Sequence, residues 1–210
     1  MRGSFFGKMI KTVYIVGEDE NQLKDLDFHG ARVCFVPVPN WERDLSPWPA
    51  EAAFKGTDAF TGEADAFLER LTLDFVPAFE VGCCEPVSER IVIGYSLAGL
   101  FALYALYKSS VFHSVGAVSG SYWYDGFVDY AKETPFFGHP RQIYLSLGET
   151  EAQTKNARMA RVQDAGFELA QIFDERGVRT MWELNPGNHF EDMKGRIQKA
   201  LDWLLAEHEE

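Results

Sequence analysis

Apolar residues recur along this chain in two rhythms. Short β-branched and aromatic runs occupy residues 9–17, 31–38, 91–96, 114–119, 142–147 and 180–184, each bounded by glycine, proline or polar residues, the signature of buried strands. Between them the period lengthens to that of a helix. Ala66, Phe67, Leu71, Leu73, Phe75, Val76 and Phe79 predict an amphipathic helix over 63–79, with Pro77 ending or kinking it. Residues 97–108, 156–176 and 190–206 predict three more, and Gly177 stops the third. Residues 18–26 are polar and read as a connection with at most one helical turn. Two stretches follow neither rhythm. Residues 39–49 are punctuated by Pro39, Pro47 and Pro49 and carry Trp41 and Trp48, and residues 120–140 are irregular and loaded with aromatics.

The order of these elements, β-β-α-β-α-β-loop-β-α-β-α, predicts an α/β fold. It would be a mostly parallel, doubly wound sheet of about six strands with helices on both faces, in one domain over 1–210. Sites in such sheets form beyond the carboxyl ends of the strands. The loops at 40–49, Ser96, 120–123, 149–151 and 187–189 all follow strand ends.

The stretch Ile91-Val-Ile-Gly-Tyr-Ser-Leu-Ala-Gly99 is where chemistry enters. A strand, a serine between small residues and a helix form the context of a nucleophile elbow. There the serine sits on a tight turn and its neighbours must be small to let strand and helix approach. Gly94 meets that need; Ala98 stands where glycine is usual, with Gly99 one place on. The plainer reading is a buried turn whose serine caps the helix. A serine nucleophile needs a base, and the base needs an orienting acid, in the order Ser, acid, His in this fold class. Downstream of Ser96 lie Gly148-Glu149-Thr150-Glu151 and then Pro186-Gly187-Asn188-His189, each after a strand. His189 is the histidine at such a position. Glu151, three residues beyond the glycine, is the expected acid, with Glu149 the alternate. An oxyanion hole needs two fixed N–H donors. Leu97 supplies the first; Pro39 has no N–H, so Trp41, or alternatively Asn40, supplies the second. Trp123, Tyr122 and Trp48 are candidate pocket walls, and Arg43 either faces the site or pairs with Asp44.

Charge and cysteine usage narrow the partners. The net charge of −12 argues against nucleic acid and anionic membrane surfaces. Cys34, Cys83 and Cys84 form neither a disulfide framework nor a zinc spacing, which fits free thiols in a reducing cytoplasm. Residues 1–8 are expected to be a flexible N-terminus, too short and glycine-rich for a signal peptide. No apolar run has the length of a membrane span.

Taken together, Gly-Tyr-Ser96-Leu-Ala-Gly-Leu-Phe, Val-Ser-Gly120-Ser, Arg43-Asp-Leu-Ser-Pro, Tyr-Leu-Ser-Leu-Gly148-Glu and Asn-Pro-Gly-Asn-His189-Phe resemble the α/β-hydrolase superfamily. More narrowly, they resemble serine esterases of the esterase D-like and enterochelin (siderophore) esterase-like kind. The resemblance spans about residues 33–189. It implies hydrolysis of a small-molecule carboxylic ester through an acyl-enzyme, with no metal or organic cofactor. The short 120–141 section implies a minimal lid and an open pocket suited to small or protruding esters. Little sequence precedes the first strand, so the antiparallel strands usual at the start of this fold are not expected. An acyltransferase or thioesterase using the same residues is one alternative, and a non-catalytic binding protein on a hydrolase scaffold is another.

Overall fold

The computed structural model describes residues 9–207; the expected flexible segment 1–8 and His208 lie outside them. Six strands form one wholly parallel sheet, ordered β2-β1-β5-β6-β7-β8. In chain order they are β1 (Ile10–Val16), β2 (Arg32–Val36), β5 (Val87–Tyr95), β6 (Ser114–Val118), β7 (Gln142–Gly148) and β8 (Arg179–Asn185), with a two-stranded hairpin, β3 (Pro49–Ala50) and β4 (Phe60–Thr61), outside the sheet. The helices are α1 (Glu20–Leu23), α2 (Trp41–Asp44), α3 (Ala64–Arg70), α4 (Val76–Val81), α5 (Leu97–Lys108), α6 (Phe127–Glu133), α7 (Val162–Glu175) and α8 (Met193–Leu205). Among the described residues no helix is long and apolar enough to cross a membrane.

Strand alternation explains why helices cover both faces. Tyr14, Val16 and Val92 point into a core shared with α3, α5 and α7, whereas Val13, Ile15, Ile91 and Ile93 point to the other face. There α8 lays Ile197, Ala200, Leu201 and Leu204 against them, all fully buried. Burying each large aliphatic side chain is worth about 1.5–3 kcal/mol. Helix α5 is buried on every side up to Tyr107, which fixes the element that follows Ser96 deep in the molecule.

Three details depart from the periodic reading. The 63–79 helix is divided: α3 passes through a π turn at Leu71–Phe75 into α4. Pro77 falls in the first turn of α4, directly after the π turn, so the change of helix type and the residue without an N–H coincide. The 120–140 stretch, read as irregular, contains α6, whose Phe127 and Ala131 are completely buried. Residues 39–49 contain the single-turn α2, capped by the Asn40 side chain on the Arg43 amide.

Candidate active site

Everything at the sheet's carboxyl edge is built around the end of β5. Ser96 follows it at φ 58° and ψ −122°, a conformation costly for any residue with a side chain, and its hydroxyl makes no capping bond to α5. The helix-capping reading of this serine therefore does not hold. Gly94 has no alternative here, because a Cβ on it would lie 2.2 Å from the backbone C and O of Ala98. Strand and helix meet at that contact, and Ala98 is accommodated fully buried beside it. Gly94→Ala is expected to cost about 3 kcal/mol, as overpacking against immovable backbone does. Thermal unfolding should show a Tm roughly 6–12 °C lower; an unchanged Tm would mean that the elbow is not held by this contact.

The two strands beyond β6 bring the partners. Glu151 lies on the turn after β7 and His189 on the turn after β8, and backbone bonds from Glu149 to Asn185 (2.8 Å) and from Thr150 to Gly187 (3.2 Å) tie the two turns together. His189 Nε2 is 3.0 Å from Ser96 Oγ, and His189 Nδ1 is 2.7 Å from Glu151 Oε2. A carboxylate can only accept, so Nδ1 carries the proton and Nε2 is left to accept from the serine hydroxyl. The Glu151 side chain is 5% exposed. Burial alone would raise its carboxyl; the hydrogen bond and charge of His189, with donors at Gly148 and Ser119, outweigh burial and hold it below the usual carboxylate range. The Gly148 amide donates to Glu151 Oε1 at 2.6 Å. Glu149 is exposed and meets the histidine turn through its backbone alone.

Leu97 and Trp41 are the first residues of α5 and α2, so neither N–H has an acceptor within its own helix. Both residues line a cavity of about 520 Å³ that Ser96 and His189 also face. Asn40 is outside that lining, and its amide already donates to Asp44 Oδ2 at 3.1 Å. Trp123 is on the cavity wall. The other two expected wall residues, and Arg43, are not. Tyr122 is 1% exposed, and its hydroxyl donates to the Ala117 carbonyl inside the core. Trp48 stacks on Phe127 and donates from Nε1 to the Asp125 carbonyl. Arg43 turns onto Asp44 through Nε (2.9 Å) and Nη2 (3.0 Å), and this pairing takes it away from the cavity. The connection between β3 and β4 adds Ala53, Phe54, Thr57 and Asp58 to the wall, beside Gly120, Ser121 and Trp123 of the 120–141 section.

The sequence reading did not single out Arg196. Its side chain is 1% exposed, on α8. Nη1 reaches Glu151 Oε1 (2.9 Å) and Ser119 Oγ (2.8 Å), and Nη2 donates to the carbonyls of Pro186 (2.9 Å) and Asn188 (2.8 Å). The available signal was its position beside Ile197, on the same helical face as Ala200 and Leu204, where a charge has no place without partners. Tyr95 adds a second brace, its hydroxyl donating to the His189 carbonyl at 2.5 Å.

No protein-family model matches the chain. The protein YbbA of Bacillus subtilis (strain 168) is 26% identical over 174 residues, 79% of this chain and 69% of that one. Among solved structures, the siderophore hydrolase EstA from Aspergillus nidulans matches with a TM-score of 0.67 and 20% identity, over 94% of this chain and 82% of its own. An IroE-like serine hydrolase from Shewanella oneidensis matches with a TM-score of 0.74 and 18% identity, over 93% and 70%. With its six parallel strands, a serine at the end of the central β5 and these matches along nearly its whole described length, this chain has the α/β-hydrolase fold.

Proposed function

We propose that the protein is a serine hydrolase of carboxylic esters, working through an acyl-enzyme. The observation that carries this is the unbroken hydrogen-bond line from Glu151 through His189 to Ser96, opening on the cavity. Ser96 Oγ attacks the ester carbonyl carbon while its proton passes to His189 Nε2. Glu151 holds the imidazole and stabilises its cation. The N–H groups of Leu97 and Trp41 take the oxyanion. When the tetrahedral intermediate collapses, the alcohol leaves with the proton from His189. A water then gives its proton to His189, attacks the acyl-serine, and releases the carboxylic acid as Ser96 regains its proton. The similar structures, a siderophore hydrolase and an IroE-like serine hydrolase, agree with this class of reaction.

A fluorophosphonate probe tests the nucleophile directly. One adduct per chain is expected, mapped by mass spectrometry to the Ser96 peptide and absent after heat denaturation. Labelling elsewhere, or none in a folded sample, would overturn the assignment.

A further inference from the structure

The cavity wall carries a charge that the ester chemistry does not use. Of the described residues lining it, none is Lys or Arg. Two carboxylates, Glu42 and Asp58, stand on it from separate segments, and among the described residues neither has an ion-pair partner. Of the cations on the segments around it, Lys55 and Lys155 are exposed and outside the lining, and the arginines are engaged. Arg43 is held by Asp44, and Arg158 is bound to Asp125 Oδ2 at 2.7 Å. Arg196 lies behind the wall, on Glu151. The same wall is aromatic: it holds Trp41, Phe60 and Trp123, with Phe54 and Phe190, which are 57% and 88% exposed. Phe190 stands edge-on to the His189 ring at 5.2 Å, beside the group that handles the reacting oxygen. The behaviour of Trp123 is instructive. The Arg158 guanidinium, itself paired with Asp125, lies over its ring at 4.9 Å and over Phe60 at 5.8 Å, whereas among the described residues Trp41, Phe54 and Phe190 carry no such cation and leave their faces to a substrate.

Aromatic faces attract cations through their quadrupole, and unpaired carboxylates add Coulomb attraction in the same direction. We infer that this cavity selects esters carrying a positively charged nitrogen, such as a quaternary or protonated amine, and rejects anionic ones. The inference rests on the ester-hydrolase reading and names its substrate class. The net charge of −12 draws such substrates toward the molecule as well.

Three p-nitrophenyl esters with one leaving group separate the cases: the butyrate, its 4-trimethylammonio derivative and the hemiglutarate. Rates are normalised to each ester's alkaline hydrolysis. The expected kcat/KM for the cationic ester exceeds that for the anionic one by about tenfold or more at low ionic strength, and the ratio shrinks at about 0.5 M salt. In the Glu42→Gln/Asp58→Asn double variant the ratio falls to within about twofold. A parallel calorimetric titration with phenyltrimethylammonium and benzoate reads the same preference without turnover. If no ester is cleaved yet the cation still binds better, the hydrolase reading fails and the charge selection stands. A wild-type ratio near one, a preference for the anion, or a preference that survives both substitutions would overturn the inference. Each single variant and the salt series decide the matter independently if the double variant does not fold.

Discussion

Ser96→Ala will reduce hydrolysis of p-nitrophenyl acetate by roughly 10³–10⁶-fold, to near the uncatalysed rate, with the fold intact. The size of the effect follows from the geometry. Ser96 Oγ is the atom that His189 Nε2 faces at 3.0 Å, and the turn that carries it gives it no second task. The same turn explains why the fold should survive. The positive φ at 96 is imposed by the contact of Gly94 with Ala98 and by backbone bonds from Ser96 N to the Val118 carbonyl and from Ser121 N to the Ser96 carbonyl, both 3.0 Å. Alanine keeps all of these. Its Tm should therefore stay within a few degrees of the wild type, roughly the span of 1 kcal/mol in a domain of this size. Retention of a tenth or more of the wild-type rate would remove Ser96 from the reaction.

The juxtaposition of Ser96, Glu151 and His189 was legible in the sequence because it depends on near neighbours at each strand end. The strand-turn-helix grammar around Ser96, the strand ends before Glu151 and His189, and the glycines beside them are short-range signals, and all six sheet strands were readable from apolar runs of five to nine residues. What was not legible depends on long-range packing. Whether an aromatic walls a cavity or fills a core is decided by partners far along the chain: Trp48 reaches the Asp125 carbonyl across 77 residues, and Tyr122 finds carbonyls at Ala117 and Ser146. Arg43 was lost to the site because the nearest carboxylate, Asp44, is its own neighbour and almost wholly buried. The outer wall at 53–58 had no periodic signal at all; the β3–β4 pairing that positions it joins two residues to two.

Those long-range contacts also set the second large effect. Arg196→Met is expected to destabilise the protein by about 3–5 kcal/mol, the range found when one partner of a buried charge pair is removed. Methionine fills much of the space but supplies no donor. Glu151 is then a buried carboxylate without its cation, and the Pro186 and Asn188 carbonyls lose the N–H groups that fix the histidine turn. The loss should reach catalysis as well. A His189 ring displaced by about 1 Å costs on the order of 10²-fold in kcat, while KM, set by the cavity wall, changes little. A pH profile separates positioning from mere stability. In the wild type the Glu151 carboxyl lies below its ordinary value, so its stabilisation is fully present above the unfolded-state pKa and is lost as pH falls through the lower, folded one. Without Arg196 the folded-state value rises, and acid unfolding and the acid limb of kcat should both move to higher pH. Arg196→Lys should restore part of the stability and less of the rate, since one ammonium cannot serve Glu151, Ser119 and both carbonyls from a single plane. If Arg196→Met loses stability but keeps both kcat and the acid limb, Arg196 supports the fold without positioning Glu151 and His189.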